Sequence, residues 1–228
     1  GIPFASKNIS GSTYTLATTV NDIFIKDITI TRASTCISQQ YTKDVFLENN
    51  VLSASATGVS VNTSANLEMS NVRAVACNNG FSFTNLGLAS LRTLGAIDTL
   101  AGNGITITSV LDCAFHELYI LGSSADGMNI TSCENITIAG TIKSNGGAGI
   151  NFVSGNSNIS VSNSAMEDNI SDGIKLTATT DDCLFSASSF ANNGGYGMNI
   201  AASTCDNANI SGNTFVSNTS GEINDLGT

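Results

Sequence analysis

The chain has 228 residues, of which 41% are hydrophobic, 6% aromatic and 11% charged, with one proline, no tryptophan and a formal charge of −10. That apolar content excludes a disordered tail, and 8 Lys and Arg against 18 Asp and Glu exclude the basic footprint of a nucleic-acid or anionic-membrane binder. No apolar run approaches the ~20 residues of a membrane-spanning helix, and few Lys, Glu and Arg beside abundant Ser, Thr, Asn and Gly predict strands and turns instead of long helices.

In chain order, residues 1–11 predict a short irregular lead-in. From about residue 12 a repeat takes over. Its first ladder to appear places paired apolar residues at Ile23/Ile25, Val45/Leu47, Leu67/Met69, Ala89/Leu91, Cys113/Phe115, Ile136/Ile138, Ile159/Val161, Cys183/Phe185 and Ala208/Ile210. A second ladder, out of phase with it, is the tetrapeptide Gly-apolar-polar-apolar at Gly58, Gly80, Gly104, Gly127, Gly149, Gly173 and Gly197, with a degenerate copy at Gly221. Successive glycines lie 22, 24, 23, 22, 24, 24 and 24 residues apart. A third apolar position follows five residues after many of the pairs, at Ile30, Leu52, Ile120, Met166, Phe190 and Phe215.

Alternation with a period of two over three or four residues means that each piece turns one row inward and the next outward. Such pieces cannot bury a core alone, and stacking repeats solves this by pairing each piece in parallel with its counterpart one coil above. The expected fold is therefore an all-β solenoid of about nine coils with three short strands per coil, a rod roughly 40 to 45 Å long at ~4.8 Å per coil. It forms one domain over 1–228, with residues 221–228 as its end coil.

Coils of this length, the glycine tetrapeptides, and Asn three residues after an apolar one (Val75 to Asn78, Ile142 to Asn145, Met166 to Asn169, Phe190 to Asn193, Phe215 to Asn218) resemble the right-handed parallel β-helix repeats of the pectate-lyase-like superfamily. The resemblance covers residues 12–224 and implies a right-handed winding. Its members include polysaccharide lyases, galacturonases, epimerases, surface adhesins and bacteriophage tailspikes, so fold does not fix function. The tailspikes are the nearest functional resemblance. They imply a structural or host-attachment module of a phage-like tail spike or fibre that contacts surface glycans, on the virion surface or outside the cell. The alternatives are a polysaccharide lyase or glycoside hydrolase of the same fold, and a bacterial surface adhesin.

Candidate catalytic residues are the charges that break the repeat. Asp181 and Asp182 are adjacent carboxylates, yet Asp182 belongs to a column of Asp22, Asp44, Asn66, Leu88, Asp112, Asn135, Asn158 and Asn207, which reads as a ladder of Asx turns. Glu167, Asp168 and His116 are weak candidates, as are Arg73, Arg92 and Lys143. Glu117 shares its position with Asp27, Asn49, Thr93 and Asn163 and reads as a turn residue. Lys175 with Asp172 is the nearest parallel to the base and carboxylate that lyases of the resembled superfamily use. The Asn-Thr-Asp, Gly-His-Gly and Arg-Ile-Lys segments of its galacturonases and the Asp-Pro-His of its epimerases are missing.

The outward row of the glycine ladder reads Ser60, Ser82, Thr106, Asn129, Asn151, Lys175 and Asn199, and in the resembled proteins this sheet lines the saccharide groove. Asn129, Asn151, Lys175 and Asn199 are thus the glycan-binding candidates, set against an ordinary solvated face without an aromatic stacking platform. Phe24 and Phe46, 22 residues apart between inward pairs, predict an exposed apolar stripe and a contact surface. The expected partners are further copies in a homotrimer or adjoining domains, because each end of a solenoid exposes a slice of core. Six cysteines without a CxxC pair or His cluster predict reduced, buried thiols, and no metal or cofactor.

Overall fold

Strand pieces of three or four residues leave their backbone edges unpaired unless neighbours stack along an axis. The computed structural model describes residues 8–10, 14–16, 23–201 and 205–226. It is an all-β solenoid of about nine coils, as the repeat predicts, wound right-handed, as the family resemblance implies. Every strand pairing among the described residues is parallel.

Three sheets run along the rod. The first carries the glycine ladder, whose fourteen apolar slots from Val59 to Ile200 are each 1% exposed or less. The second carries the pairs from Ile23/Ile25 to Cys183/Phe185, all buried, with Ala208 and Ile210 partly buried on the last coil. The third carries Ile30, Leu52, Ala74, Ala96, Ile120, Ile142, Met166 and Phe190 inward, with Phe215 closing it. Strand pairing extends beyond the glycine ladder at the N-terminal end: Ile37 and Gln39 pair with Val59 and Val61, Tyr14 and Leu16 pair with Ile37 and Gln39, and Asn8–Ser10 pairs with Thr29–Thr31. Gln39 hides this rung from a hydrophobicity count, since a polar side chain fills an inward slot and is 1% exposed.

The glycine at the head of each first-sheet strand is there for space. A Cβ on Gly127 would lie 2.5 Å from Ile142 Cγ2 and 2.6 Å from the Gly149 carbonyl oxygen, closer than any side chain tolerates. The coil stacks glycine on glycine so that the third sheet can pack tightly against the corner.

Each corner turns on a left-handed residue. Between the third and first sheets these are Arg32, Ala54, Ala76, Asp98, Gly122, Ser144, Asp168, Asn192 and Ser217, with φ from 50° to 69°. Between the second and third sheets they include Asp27, Asn49, Asn71, Thr93, Glu117 and Asn163, so Glu117 is a turn residue as its column suggests. At the first corner, Asp112, Asn135, Asn158, Asp182 and Asn207 are left-handed, but Asp44 and Asn66 are not. There Tyr41, Thr63 and Asn85 make the turn instead. The Asx side chains nevertheless bond coil to coil: Asn66 to Asp44, Asn135 to Asp112 at 2.8 Å, and Asn207 to Asp182 at 3.0 Å. Asp22, the first of that column, lies outside the described residues.

Inside the corner between the third and first sheets runs a polar column of Ser55, Cys77, Thr99, Ser123, Asn145, Asn169, Asn193 and Asn218. Asn145 Nδ2 donates to Asn169 Oδ1 at 2.8 Å, Asn169 Nδ2 to Asn193 Oδ1 at 2.9 Å, and Asn193 Nδ2 to Asn218 Oδ1 at 2.8 Å. The same carbonyls accept the backbone N–H of the coil before, so this buried ladder satisfies groups that the turn would strand. The spacing from Val75 to Asn78 does not belong to it. Ala74 fills the inward slot, Cys77 takes the column position, and Asn78 is exposed one residue further on.

All six cysteines are free and buried. Burial raises every one of their thiols, that of Cys183 to about 12.

Candidate functional site

The outward row of the first sheet is continuous. Thr106, Asn129, Asn151, Lys175, Asn199 and Asn224 pair in unbroken register, one per coil, and each is half-buried. Period-two alternation puts them outward because Ile105/Ile107, Met128/Ile130, Ile150/Phe152 and their successors are turned in. All four glycan-binding candidates therefore share one face.

Their side chains are not equally free. Asn199 Nδ2 donates to Asp172 at 3.0 Å, and its Oδ1 accepts from Asn224 Nδ2 at 3.0 Å, so both ends of that amide are engaged. Asn151 Nδ2 donates to Asp126 Oδ2 at 2.9 Å, while Asn151 Oδ1 is shielded from water and has no hydrogen-bond partner. Asn129 makes only a long 3.5 Å contact with the same Asp126 oxygen. Lys175, the one cation of the row, takes part in no ion pair with a described residue.

Two carboxylates brace this row from the column preceding the glycines. Asp126 Oδ1 accepts the Ala148 N–H at 2.8 Å while its other oxygen holds Asn151. Asp172, 4% exposed, repeats the arrangement: Oδ1 accepts the Tyr196 N–H at 2.7 Å and Oδ2 holds Asn199, with Ser171 Oγ at 3.5 Å. Asp172 is thereby committed to the next coil instead of to Lys175. Asp126 and Asp172 stand two coils apart in one column, about 10 Å at ~4.8 Å per coil. Sequence reasoning passed over Asp126. Its signal was the column Asn79, Asn103, Asp126, Ala148, Asp172 and Tyr196, where only two positions carry a charge.

The other weak catalytic candidates do not converge with these. Asp181 and Asp182 lie at the first corner, where Asp181 Oδ1 accepts the Asp206 N–H at 3.3 Å and Asp182 continues the exposed Asx ladder. Glu167 and Asp168 end the third sheet, with Asp168 in a left-handed turn and Glu167 in register with Lys143. His116 is outward on the second sheet beside Arg92. Among the described residues no group of three or more His, Cys, Asp or Glu gathers to hold a metal ion, and no helix is long and apolar enough to cross a membrane.

Phe24 and Phe46 stack as their spacing predicts, with ring centroids 4.6 Å apart and planes 6° from parallel. Phe24 is 49% exposed. A shallow groove of about 530 Å³ follows the corner between the second and third sheets, lined by small residues such as Gly140, Ala165, Ala187 and Gly212, with no charged group.

Residues 96–227 match the family model described as a right handed beta helix region. No curated protein matches the chain. Among solved structures, it is similar to the A-module of the Azotobacter vinelandii mannuronan C-5 epimerase AlgE4, at 10% identity and a TM-score of 0.61, over 98% of this chain and 89% of that one. The A-module of epimerase AlgE6 from the same organism gives 13% identity and a TM-score of 0.57, over 98% and 88%. Tailspike protein 3 of bacteriophage CBA120 gives 10% identity and a TM-score of 0.67, over 96% of this chain and 44% of that one, so the chain spans less than half of the tailspike. At these identities the likeness is one of fold.

Proposed function

The chain belongs to the right-handed β-helix family, and from that premise we propose that it is a surface-exposed structural or attachment module of a phage-like tail spike or fibre that contacts glycans along its first sheet. The observation that carries this is the outward row, where Asn129 makes only a long 3.5 Å contact and Lys175 presents an ammonium that no described carboxylate pairs. Amide and ammonium groups held by a rigid sheet suit sugar hydroxyls, which both donate and accept. The tailspike to which the fold is similar supports the spike reading, as do a rod of stacked coils and six reduced, buried thiols of the kind made in a reducing compartment. In this reading the module sits on the virion surface or outside the cell, and its copies associate as a homotrimer or adjoin further domains.

The test is retention on a panel of immobilised neutral and acidic polysaccharides, with Asn129→Ala and Lys175→Ala beside the unaltered chain. Retention that falls in both variants is the expected result; no retention of any glycan would sink the reading.

A second reading, a polysaccharide-cleaving enzyme, is favoured by one observation, the two carboxylates Asp126 and Asp172 in one column beside Lys175. Their estimated separation of about 10 Å is near the upper end for an inverting pair of carboxylates. Incubation with the same panel, reading new reducing ends and unsaturated products, decides it: turnover lost in Asp126→Asn and Asp172→Asn establishes the enzyme, and none at all leaves the attachment module.

A further inference from the structure

The outward face of the third sheet carries apolar residues on successive coils. Two rows cross it in unbroken register. The row next to the first sheet reads Ser53, Val75, Ile97, Leu121, Lys143 and Glu167. The row next to the second sheet reads Val51, Arg73, Gly95, Tyr119, Thr141 and Ala165. Ala74, Ala96 and Ile120 fill the inward slots between them, which leaves Val75, Ile97 and Leu121 half-buried on the solvent side of three successive coils. Beside them Val51 is 39% exposed and Tyr119 40%.

We infer that this face is where copies of the chain meet, side by side and parallel, the row next to the first sheet of one copy seated on the row next to the second sheet of its neighbour. This rests on the homo-oligomer in the reading above and adds to it the surface and the direction of contact.

A second copy suits the face because the two rows complement each other coil by coil. Copies turned about a common axis along the rod bring residues of equal height together, and repeated around that axis the contact closes into a ring. Ile97 then meets the low point of its neighbour at Gly95, along which the Arg73 side chain lies with its Cγ 3.4 Å from where a Cβ would stand. Leu121 meets Tyr119, and Val75 meets the aliphatic stem of Arg73. Further along, the row next to the second sheet shrinks to Thr141, Ala165 and Ser189, which line the uncharged groove of about 530 Å³. At the same heights the other row lengthens to Lys143 and Glu167, so long side chains face the hollow. An antiparallel pair centred on the same coil sets Gly95 against Gly95 and Ile97 against Ile97, and forfeits that fit of large against small.

Charge points the same way. Each copy carries −10, so copies repel one another over much of their surface. From Val51 to Glu167 the charges of the two rows are Arg73, Lys143 and Glu167, two cations and one carboxylate. An acidic chain can approach itself across this face without opposing carboxylate to carboxylate.

Sedimentation equilibrium of the whole chain tests this, with the circular dichroism of each variant read alongside as a check on folding. The unaltered chain is expected to sediment as a trimer. Leu121→Lys puts a charge in the apolar stripe and Ala165→Trp fills the groove, and each is expected to raise the dissociation constant about tenfold or more. Leu121→Gln takes the place of Leu121→Lys should that variant fail to fold. Thr141→Cys and Lys143→Cys chains, coexpressed and mildly oxidised, are expected to link to each other. Added salt is expected to tighten the association, because it screens the repulsion between acidic copies. An oligomer that Leu121→Lys and Ala165→Trp leave intact, links that form within one cysteine variant but not between the two, or loosening by salt overturns this face and leaves the homo-oligomer standing. A chain that stays monomeric at high concentration overturns both, while glycan retention on the polysaccharide panel is decided separately.

Discussion

Asp126 Oδ2 accepts a hydrogen bond from Asn151 Nδ2 at 2.9 Å across one turn of the rod, and that bond turns the other end of the amide into an acceptor without a donor. The same carboxylate caps the Ala148 N–H, so one residue couples the stability of a corner to the chemistry of the exposed row. Asp126→Ala is expected to cost about 1 to 3 kcal/mol, because the buried Ala148 amide loses its acceptor. Urea unfolding measures this. Asp126→Asn keeps an acceptor for Ala148 and should lose less. An Asp126→Ala midpoint equal to that of the unaltered chain would refute the coupling.

The buried ladder predicts a graded series at Asn169. Its Oδ1 serves both the N–H and the Nδ2 of Asn145, and its Nδ2 reaches Asn193 Oδ1. Asn169→Ala strands several of these groups and should lose about 2 to 4 kcal/mol. Asn169→Ser should lose less, since Ser55 in the same column accepts the Ala33 N–H through its hydroxyl. Equal losses for the two would mean that volume, and not hydrogen bonding, sets the cost.

Glycine stacking predicts a contrast between two alanine substitutions. Gly127→Ala forces a Cβ to 2.5 Å from Ile142 Cγ2 and 2.6 Å from the Gly149 carbonyl, and should yield insoluble or strongly destabilised protein. Gly95→Ala meets nothing closer than the Arg73 side chain at 3.4 Å and should fold with a melting temperature close to the parent's.

The buried thiols predict an alkaline limit. Burial lifts Cys183 from 9.0 to about 12, and Cys113 is raised in the same direction and for the same reason. Above about pH 9 the unfolded chain releases protons that the folded chain keeps, so the thiol contribution is fully present below that pH and is lost on going from 9 toward 12. Each such thiol contributes a slope of up to about 1.4 kcal/mol per pH unit in that window. Urea midpoints followed across it should fall less steeply for Cys183→Ala than for the unaltered chain.

If copies of the chain associate, the Phe24–Phe46 stack is a second apolar surface through which they are expected to meet. Replacing both with serine should lower the sedimenting mass toward that of one chain. An unaltered chain that already sediments as a monomer at high concentration would remove the stack from any assembly role.

Much of the architecture is legible because side-chain parity in a strand is a local property. Val59 and Val61 must face one way and Ser60 the other, whatever stacks above them, so the inward slots and the outward row could be written down from alternation alone. Parity fails where an inward slot is polar. Gln39 concealed a whole rung, and Cys36 stands in the glycine column beside Ser55 Oγ at 2.9 Å without announcing itself. The interior Asn ladder was visible from Asn145 onward, where the amides repeat, and misread at Asn78, where Cys77 holds the position.

What the amino-acid order determined by itself is the period, the three strands of each coil and the face on which every strand residue stands. Only the stacked structure decided which groups bond across coils: that Asp172 serves Tyr196 and Asn199 instead of Lys175, that Asn224 closes the Asn199 amide, and that Asn151 keeps an unmet oxygen. The reason is physical. Coils differ in length by a residue or two, and the corners absorb the difference, so partners 22 to 27 residues apart meet through the register of the stack and not through any fixed spacing along the chain.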